Sequence, residues 1–150
     1  MGAWGAGVFE NDIAADWIEM FREDGTAGYL PYTFEDIDSD PEYVNEVVST
    51  FVLAAAEVVA AAGGQPLTKQ WQPRPIEDNA DLMAGPPISV QEWLMRTKFK
   101  PDQNLVELAE RCVSRVLENS ELKDEWHASD AFDEWSQSLD DLAARLARLR

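Results

Sequence analysis

The short acidic segment before the middle of the chain is the pattern closest to a cation site, and it contains Glu35, Asp36, Asp38, Asp40 and Glu42. Asp36, Asp38 and Asp40 match the first three ligand positions of a calcium-binding EF-hand loop. That loop also needs glycine at its sixth position and glutamate at its twelfth, where this chain has Pro41 and Val47. The sequence therefore excludes an EF-hand. It favours an acidic loop that ends in a helix cap, and weak divalent-cation binding stays open as the alternative.

A second pair of carboxylates, Asp12 and Asp16, lies one turn apart on a predicted helix, and Glu19 lies one turn further along. Carboxylates at this spacing can share a metal ion or divide acid and base roles between them. The same spacing is typical of the solvated face of a helix, and Ile13, Trp17 and Phe21 supply an apolar opposite face. We favour the solvated face and keep both residues as candidate binding residues. A metal-dependent enzyme that uses them with the acidic segment is the alternative.

Other catalytic patterns are weak. Cys112 lies in the apolar stripe of a predicted helix, which predicts a buried structural thiol and not a nucleophile. With one cysteine and one histidine, His127, the chain offers no zinc-ligand set and no marked Cys/His pair. The early glycines are followed by no Lys-Ser/Thr pair and preceded by no strand, so they do not form a phosphate-binding loop. We expect a non-enzymatic protein without a catalytic residue, cofactor or bound metal.

Charge is the strongest compositional signal, because the net charge is −17 and most of it lies in the first half. Residues 1–68 contain 13 acids and a single base, Arg22. Such a field repels phosphate backbones and anionic membranes, so we expect neither nucleic acid nor membrane as a partner. It favours a basic protein, a cation, or solubility alone.

The location and size of the protein follow from simple counts. The N-terminus lacks the basic and apolar regions of a signal peptide. The longest apolar run, 47–62, is shorter than the roughly 20 residues that a membrane span needs. We therefore expect a cytoplasmic protein, and the 150 residues fit one domain over 1–150.

Apolar spacing predicts an all-α bundle of five or six helices. The expected helices cover 12–24, 41–62, 89–97, 102–119, 121–127 and 130–149. Capping residues support five of these starts: Asn11 or Asp12, Asp40, Ser89, Ser120, and Ser129 or Asp130. The helix 102–119 is expected to begin at Pro101 or Asp102. The second helix is apolar nearly all round, which is typical of a buried central helix.

Two irregular segments separate these helices, the loop 29–40 and the Pro/Gly-rich connection 63–88, with a short helical turn allowed at 76–83. Trp71 is expected to pin the connection to the core. Trp4, between Gly2 and Gly5, predicts an N-terminus that packs into the fold. Because tryptophan is enriched in binding hot spots, Trp4 and Trp71 are also candidate binding residues.

Three stretches carry a resemblance to a known family: MGAWGAGVFENDIAADW at 1–17, FVLAAAEVVAAAGGQPL at 51–67 and LVELAERCVSRVLENSELKDEWHAS at 105–129. Together they resemble the bacterial domain-of-unknown-function family 4259 over nearly the whole chain, most weakly at 68–100. The resemblance implies a helical fold and a bacterial, intracellular setting, and it supplies no catalytic residue.

From charge and the lack of catalytic patterns we expect a protein-binding module. Its acidic half would meet a basic partner, as an immunity protein or antitoxin meets a toxin or nuclease. Charge complementarity of this kind speeds association and makes it sensitive to salt. The last helix is too short in heptads to require a dimer, so the sequence specifies no oligomeric state.

Overall fold

The computed structural model of the chain describes residues 2–39, 42–72 and 84–150. These residues form seven α-helices and one 3-10 helix, in the order α1 Asp12–Asp24, α2 Tyr29–Glu35, 3-10 helix Asp36–Ser39, α3 Glu46–Ala62, α4 Ile88–Thr97, α5 Gln103–Glu118, α6 Glu121–His127 and α7 Phe132–Ala147. Within the described part there is no strand, only isolated bridges such as Ala3–Asn11 and Val44–Ser120. The all-α class is confirmed, with one more helix than the upper expected number.

Helix α3 forms the centre of the bundle, as its composition predicts. It packs against α1, α2, α5, α6 and α7. Every residue from 52 to 60 is buried, including the charged Glu57. Alanines occur along it in two runs, 54–56 and 60–62, and their small side chains allow several neighbours to approach the same helix closely.

The start of α3 differs from the sequence prediction, because the helix begins at Glu46 and not at Pro41. Val44 is fully buried and pairs through its backbone with the residues that join α5 to α6. That pairing holds the chain extended until Asn45, whose side chain caps the helix. The prediction that Asp40 caps it was wrong, and both Asp40 and Pro41 lie outside the described residues.

The predicted loop 29–40 was also wrong, since most of it is helical. Leu30 and Phe34, one turn apart, are fully buried, and α2 packs on α3 and α5. Helix α2 tolerates Pro31 because this residue lies in the first turn, where a backbone amide hydrogen would have no intrahelical acceptor. No side chain caps α2, so the usual start signal is missing.

Most other boundaries follow the sequence closely. Two predicted caps are confirmed, Asn11 and Ser120, and each accepts a hydrogen bond from the amide three residues on. Asp102, expected only as a possible start of α5, caps that helix in the same way. Two further caps were wrong by one or two residues. Helix α4 follows Pro87 and not Ser89, and α7 follows Ala131 and not Ser129 or Asp130.

Trp71 fixes the connection to the body of the fold, as predicted. It is 8% exposed, and its ring centroid lies 5.8 Å from that of Phe9. Its indole nitrogen donates to the carbonyl oxygen of Gly85 at 2.7 Å. The turn allowed at 76–83 lies outside the described residues.

Candidate functional site

The N-terminal glycine-rich loop is folded around the carboxylate of Glu10. Its Oε1 accepts from the amide of Gly7 and its Oε2 from the amide of Gln72, each at 3.0 Å. A Cβ on Gly5 would lie 2.5 Å from Oε2, and a Cβ on Gly7 would also collide with this carboxylate. A side chain at either glycine would therefore displace the Glu10 carboxylate from its hydrogen bonds. Sequence reasoning missed Glu10, whose partner Gln72 lies in a distant segment.

This loop, the segment 67–72 and the start of α7 enclose a groove. One end is a cavity of about 190 Å³, whose lining includes the exposed Lys69 and the buried Glu57 and Trp71. The other end is a cavity of about 310 Å³ between Trp4 and Trp126. The two cavities are adjacent, because they share four lining residues: Ala6, Glu10, Gln72 and Glu134. We call the two together the tryptophan groove, with the first cavity as its narrow end and the second as its wide end.

A buried ion pair lies against the narrow end of the tryptophan groove. The guanidinium of Arg145 meets both carboxylate oxygens of Glu57, at 2.7 and 2.8 Å, and the two side chains are 4% and 2% exposed. Its Nε donates to Asp141 at 2.8 Å, and Nη1 also reaches the carbonyl oxygen of Gln65 at 3.3 Å. The pair therefore ties α3, α7 and the start of the connection together.

Opposing effects set the protonation of this ion pair. Burial raises the pKa of Glu57, while the hydrogen bonds and the positive charge of Arg145 oppose that rise. Burial lowers the pKa of Arg145, but Glu57 and Asp141 outweigh it and the pKa of Arg145 is raised overall. The guanidinium therefore stays charged, and removing it would leave Glu57 buried without its cation.

A separate acidic face runs along α1. Asp12, Asp16, Glu19 and Glu23 recur at spacings of four and three, so they lie on one side of the helix. All four are exposed. Arg22 contacts Glu19 at 2.6 Å, and both side chains are more than half exposed. We call these four acids the α1 stripe.

Two neighbouring tyrosines lie close to acidic residues beyond the α1 stripe. The rings of Tyr29 and Tyr32 lie 5.6 Å apart, and Tyr32 is 59% exposed. Burial, followed by Tyr32 and by the charges of Asp24 and Asp36, raises the pKa of Tyr29. The C-terminal end of α1 and the start of the 3-10 helix therefore act on the same tyrosine.

Sequence comparison places these features in a family. The family model described as "Domain of unknown function (DUF4259)" matches residues 2–138. The chain belongs to this family. No curated protein and no solved structure matches it. The matched range contains the α1 stripe and all the lining residues of the tryptophan groove, so both are built from parts of the chain that the DUF4259 model covers.

The structure of this family member places the predicted site residues in three separate regions. Trp4 and Trp71 line opposite ends of the tryptophan groove. Asp12 and Asp16 belong to the α1 stripe. The remaining candidates, Glu35 and Asp36, are exposed where α2 meets the 3-10 helix; the Asp38 side chain and Asp40 lie outside the described residues.

A third acidic cluster joins α3 to α6 and was not predicted. One carboxylate oxygen each from Glu46, Glu121 and Glu125 lies within 4.8 Å of the other two. Glu121 accepts from the amide of Glu46 at 2.8 Å. Burial, then a hydrogen bond and negative charge from Glu46, raises the pKa of Glu125. Such a hydrogen bond needs a proton between the two carboxyl groups, so this contact between helices weakens as pH rises.

Two further predictions concern single residues and membranes. Cys112 is 1% exposed, which confirms a buried thiol, and its sulphur lies 3.9 Å from the carbonyl oxygen of Phe34. His127 is exposed, with its ring 4.9 Å from that of Phe132. None of the helices in the described residues is both long and apolar enough to cross a membrane.

Proposed function

We propose that this DUF4259 member is a non-enzymatic, cytoplasmic protein-binding module whose acidic face meets a basic partner protein. Such a module could act as an immunity protein or antitoxin that neutralises a basic toxin or nuclease. The observation that carries the proposal is the α1 stripe, an exposed row of four carboxylates on one face of one helix.

The α1 stripe places like charges beside one another. Asp12 and Asp16 are one turn apart, as are Glu19 and Glu23. Like charges at this spacing destabilise a helix by about 0.2–0.5 kcal/mol per pair. Arg22 offsets part of the repulsion between Glu19 and Glu23, and Asp12 lies in the first turn, where the helix dipole favours a negative charge. A basic surface would relieve the repulsion that remains, so these charges favour binding.

Tyr32 adds the apolar contact that charge alone does not provide. It is 59% exposed, near the acids around Tyr29. Tyrosine is enriched in the cores of protein interfaces, where it contributes large contact area at little entropic cost. An exposed tyrosine beside carboxylates suits a partner surface of lysine and arginine side chains.

The test is capture of partners from a lysate of the source bacterium on immobilised protein, followed by binding measurements with the purified partner. We expect a basic protein that is retained at low salt and released at high salt, because exposed charges are screened by ions. A double variant of the α1 stripe, Glu19→Gln with Glu23→Gln, should bind more weakly. The matched control, Asp133→Asn with Asp140→Asn on α7, removes the same charge from another helix.

Two outcomes would contradict this proposal. One is affinity that does not fall with salt, or that falls equally in both double variants. The other is the absence of any retained basic protein. That second outcome would favour the alternative, a divalent-cation-binding protein, which predicts calcium, magnesium or manganese binding that is lost in Asp36→Asn with Asp38→Asn.

A further inference from the structure

We infer that the wide end of the tryptophan groove binds one arginine side chain of the basic partner. This inference rests on the proposed function and gives it a specific contact. The α1 stripe would attract the partner over a distance, whereas the groove would recognise one residue at close range. The two contacts use different residues and can be tested separately.

The walls of the wide end suit a cation with a flat apolar face. Trp4 is half-buried and Trp126 is 8% exposed, and both line this cavity. Tryptophan is the aromatic side chain that attracts cations most strongly, and guanidinium groups stack on its ring. The indole nitrogen of Trp4 is already bonded to the carbonyl oxygen of Gln72 at 2.8 Å, which fixes the orientation of the ring.

The charged side chains that line the wide end are negative among the described residues. Glu10 and Glu134 line it, and no lysine or arginine of the described ranges does. Within those ranges, the side chain of Glu134 has no hydrogen bond or ion pair. Glu10 is held in place by two backbone amides and so presents a fixed charge. Lys69 lines only the narrow end, which is why we assign the cation to the wide end.

Size and geometry favour arginine over the other cations. The cavity of about 310 Å³ is at the low end of the roughly 300–1,000 Å³ typical of small-molecule sites, so it suits a side chain better than a cofactor. A metal ion would gain little from tryptophan walls. A guanidinium can pair with a carboxylate and stack on an indole at the same time, which an ammonium group does less well.

The test uses a blocked peptide, acetyl-Gly-Arg-Gly-amide, titrated into the full-length ¹⁵N-labelled protein. The uncharged control is the peptide with citrulline in place of arginine. We expect the indole N–H signals of Trp4 and Trp126 to shift with arginine and not with citrulline. Trp93 is the internal reference, since its indole is 4% exposed and bonded to the carbonyl oxygen of Gly25.

A pair of variants tests the charge. Glu134→Gln should weaken peptide binding about fivefold, the size expected for loss of a partly exposed ion pair. Asp133→Asn removes the same charge from the same helical turn without touching the groove, and it should leave binding unchanged. Both positions are exposed, so we expect both variants to fold.

Three results would overturn the inference: equal binding of the citrulline peptide, no shift at Trp4 and Trp126, or equal weakening in both variants. Failure of the groove can be told from failure of the proposed function. If the captured partner binds Glu134→Gln normally but loses affinity for Glu19→Gln with Glu23→Gln, the groove assignment is wrong and the function stands. Absence of any basic partner contradicts the function itself.

Discussion

Replacing Arg145 by methionine is the change for which the structure gives the clearest prediction. The substitution keeps an unbranched side chain but removes the guanidinium, with its two hydrogen bonds to Glu57. Glu57 would stay in the centre of the core, 2% exposed, without its cation. Removing one member of a buried ion pair typically costs about 3–5 kcal/mol. That is a large part of the roughly 5–15 kcal/mol that stabilises a domain.

A double-mutant cycle separates the ion pair from simple loss of packing. Leucine at position 57 together with methionine at 145 removes both charges and keeps most of the volume. Buried ion pairs replaced by apolar residues are often neutral or more stable, so we expect the double variant within about 1 kcal/mol of the natural protein. With Glu57→Leu completing the cycle, the coupling free energy between Glu57 and Arg145 should be at least about 2–4 kcal/mol, the cost of Arg145→Met less that of the double variant.

Urea unfolding followed by tryptophan fluorescence and circular dichroism measures these values. The deficit of Arg145→Met should shrink as pH falls toward 5. Burial raises the pKa of Glu57, so without its cation the carboxyl takes up a proton in the folded state more readily than in the unfolded state. The free-energy cost of Arg145→Met is therefore smallest at low pH and grows as the pH rises through the pKa of Glu57 in the folded variant. An Arg145→Met variant within about 1 kcal/mol of the natural protein at neutral pH would refute this account of the ion pair.

Three further predictions concern the N-terminal loop and the ionisable groups of α6. Gly7→Ala should destabilise by about 1.5–3 kcal/mol in urea, because it displaces a charged hydrogen-bond acceptor, and the loss should nearly vanish in a Glu10→Ala background. Tyr43 donates to Asp124 at 2.7 Å, and this hydrogen bond raises the pKa of Tyr43 to about 12. Ultraviolet titration should show the raised pKa, and Asp124→Asn should reduce the shift. The protein should lose stability from about pH 10 upward. Glu125→Gln should raise Tm at neutral pH but not near pH 4. Burial and Glu46 raise the pKa of Glu125, so this residue carries its unfavourable negative charge at neutral pH and is protonated near pH 4. A uniform gain at both pH values would contradict the shared-proton contact.

Local signals in the sequence predicted local structure well. The caps Asn11 and Ser120 each act on an amide three residues away, so a short window contains everything needed. The burial of α3 follows from its own composition. Helix α2 was missed because its stability comes from Leu30 and Phe34 packing on other helices.

The candidate sites required contacts between distant segments. Glu10 acts on Gln72, 62 residues away, and Glu57 pairs with Arg145, 88 residues away. Neither residue type carries a signal of such a contact by itself. The α1 stripe was different, because its spacing lies within one helix. Asp12, Asp16 and Glu19 were accordingly found together on one helix face, and only Glu23 was not named.

The ion pair and the tryptophan groove are linked in two ways, because Glu57 lines the narrow end and Arg145 contacts the backbone of the connection. Arg145 donates to the carbonyl oxygen of Gln65, near the start of the segment that carries Trp71 and Gln72 to the groove. The apolar double variant at positions 57 and 145 would restore core stability but could not remake this hydrogen bond. We therefore expect it to unfold at nearly the natural urea concentration while binding the arginine peptide more weakly, with altered indole signals for Trp4. Natural peptide affinity in that variant would mean that the connection is positioned by Trp71 and Glu10 alone, and that the buried charges serve only the core.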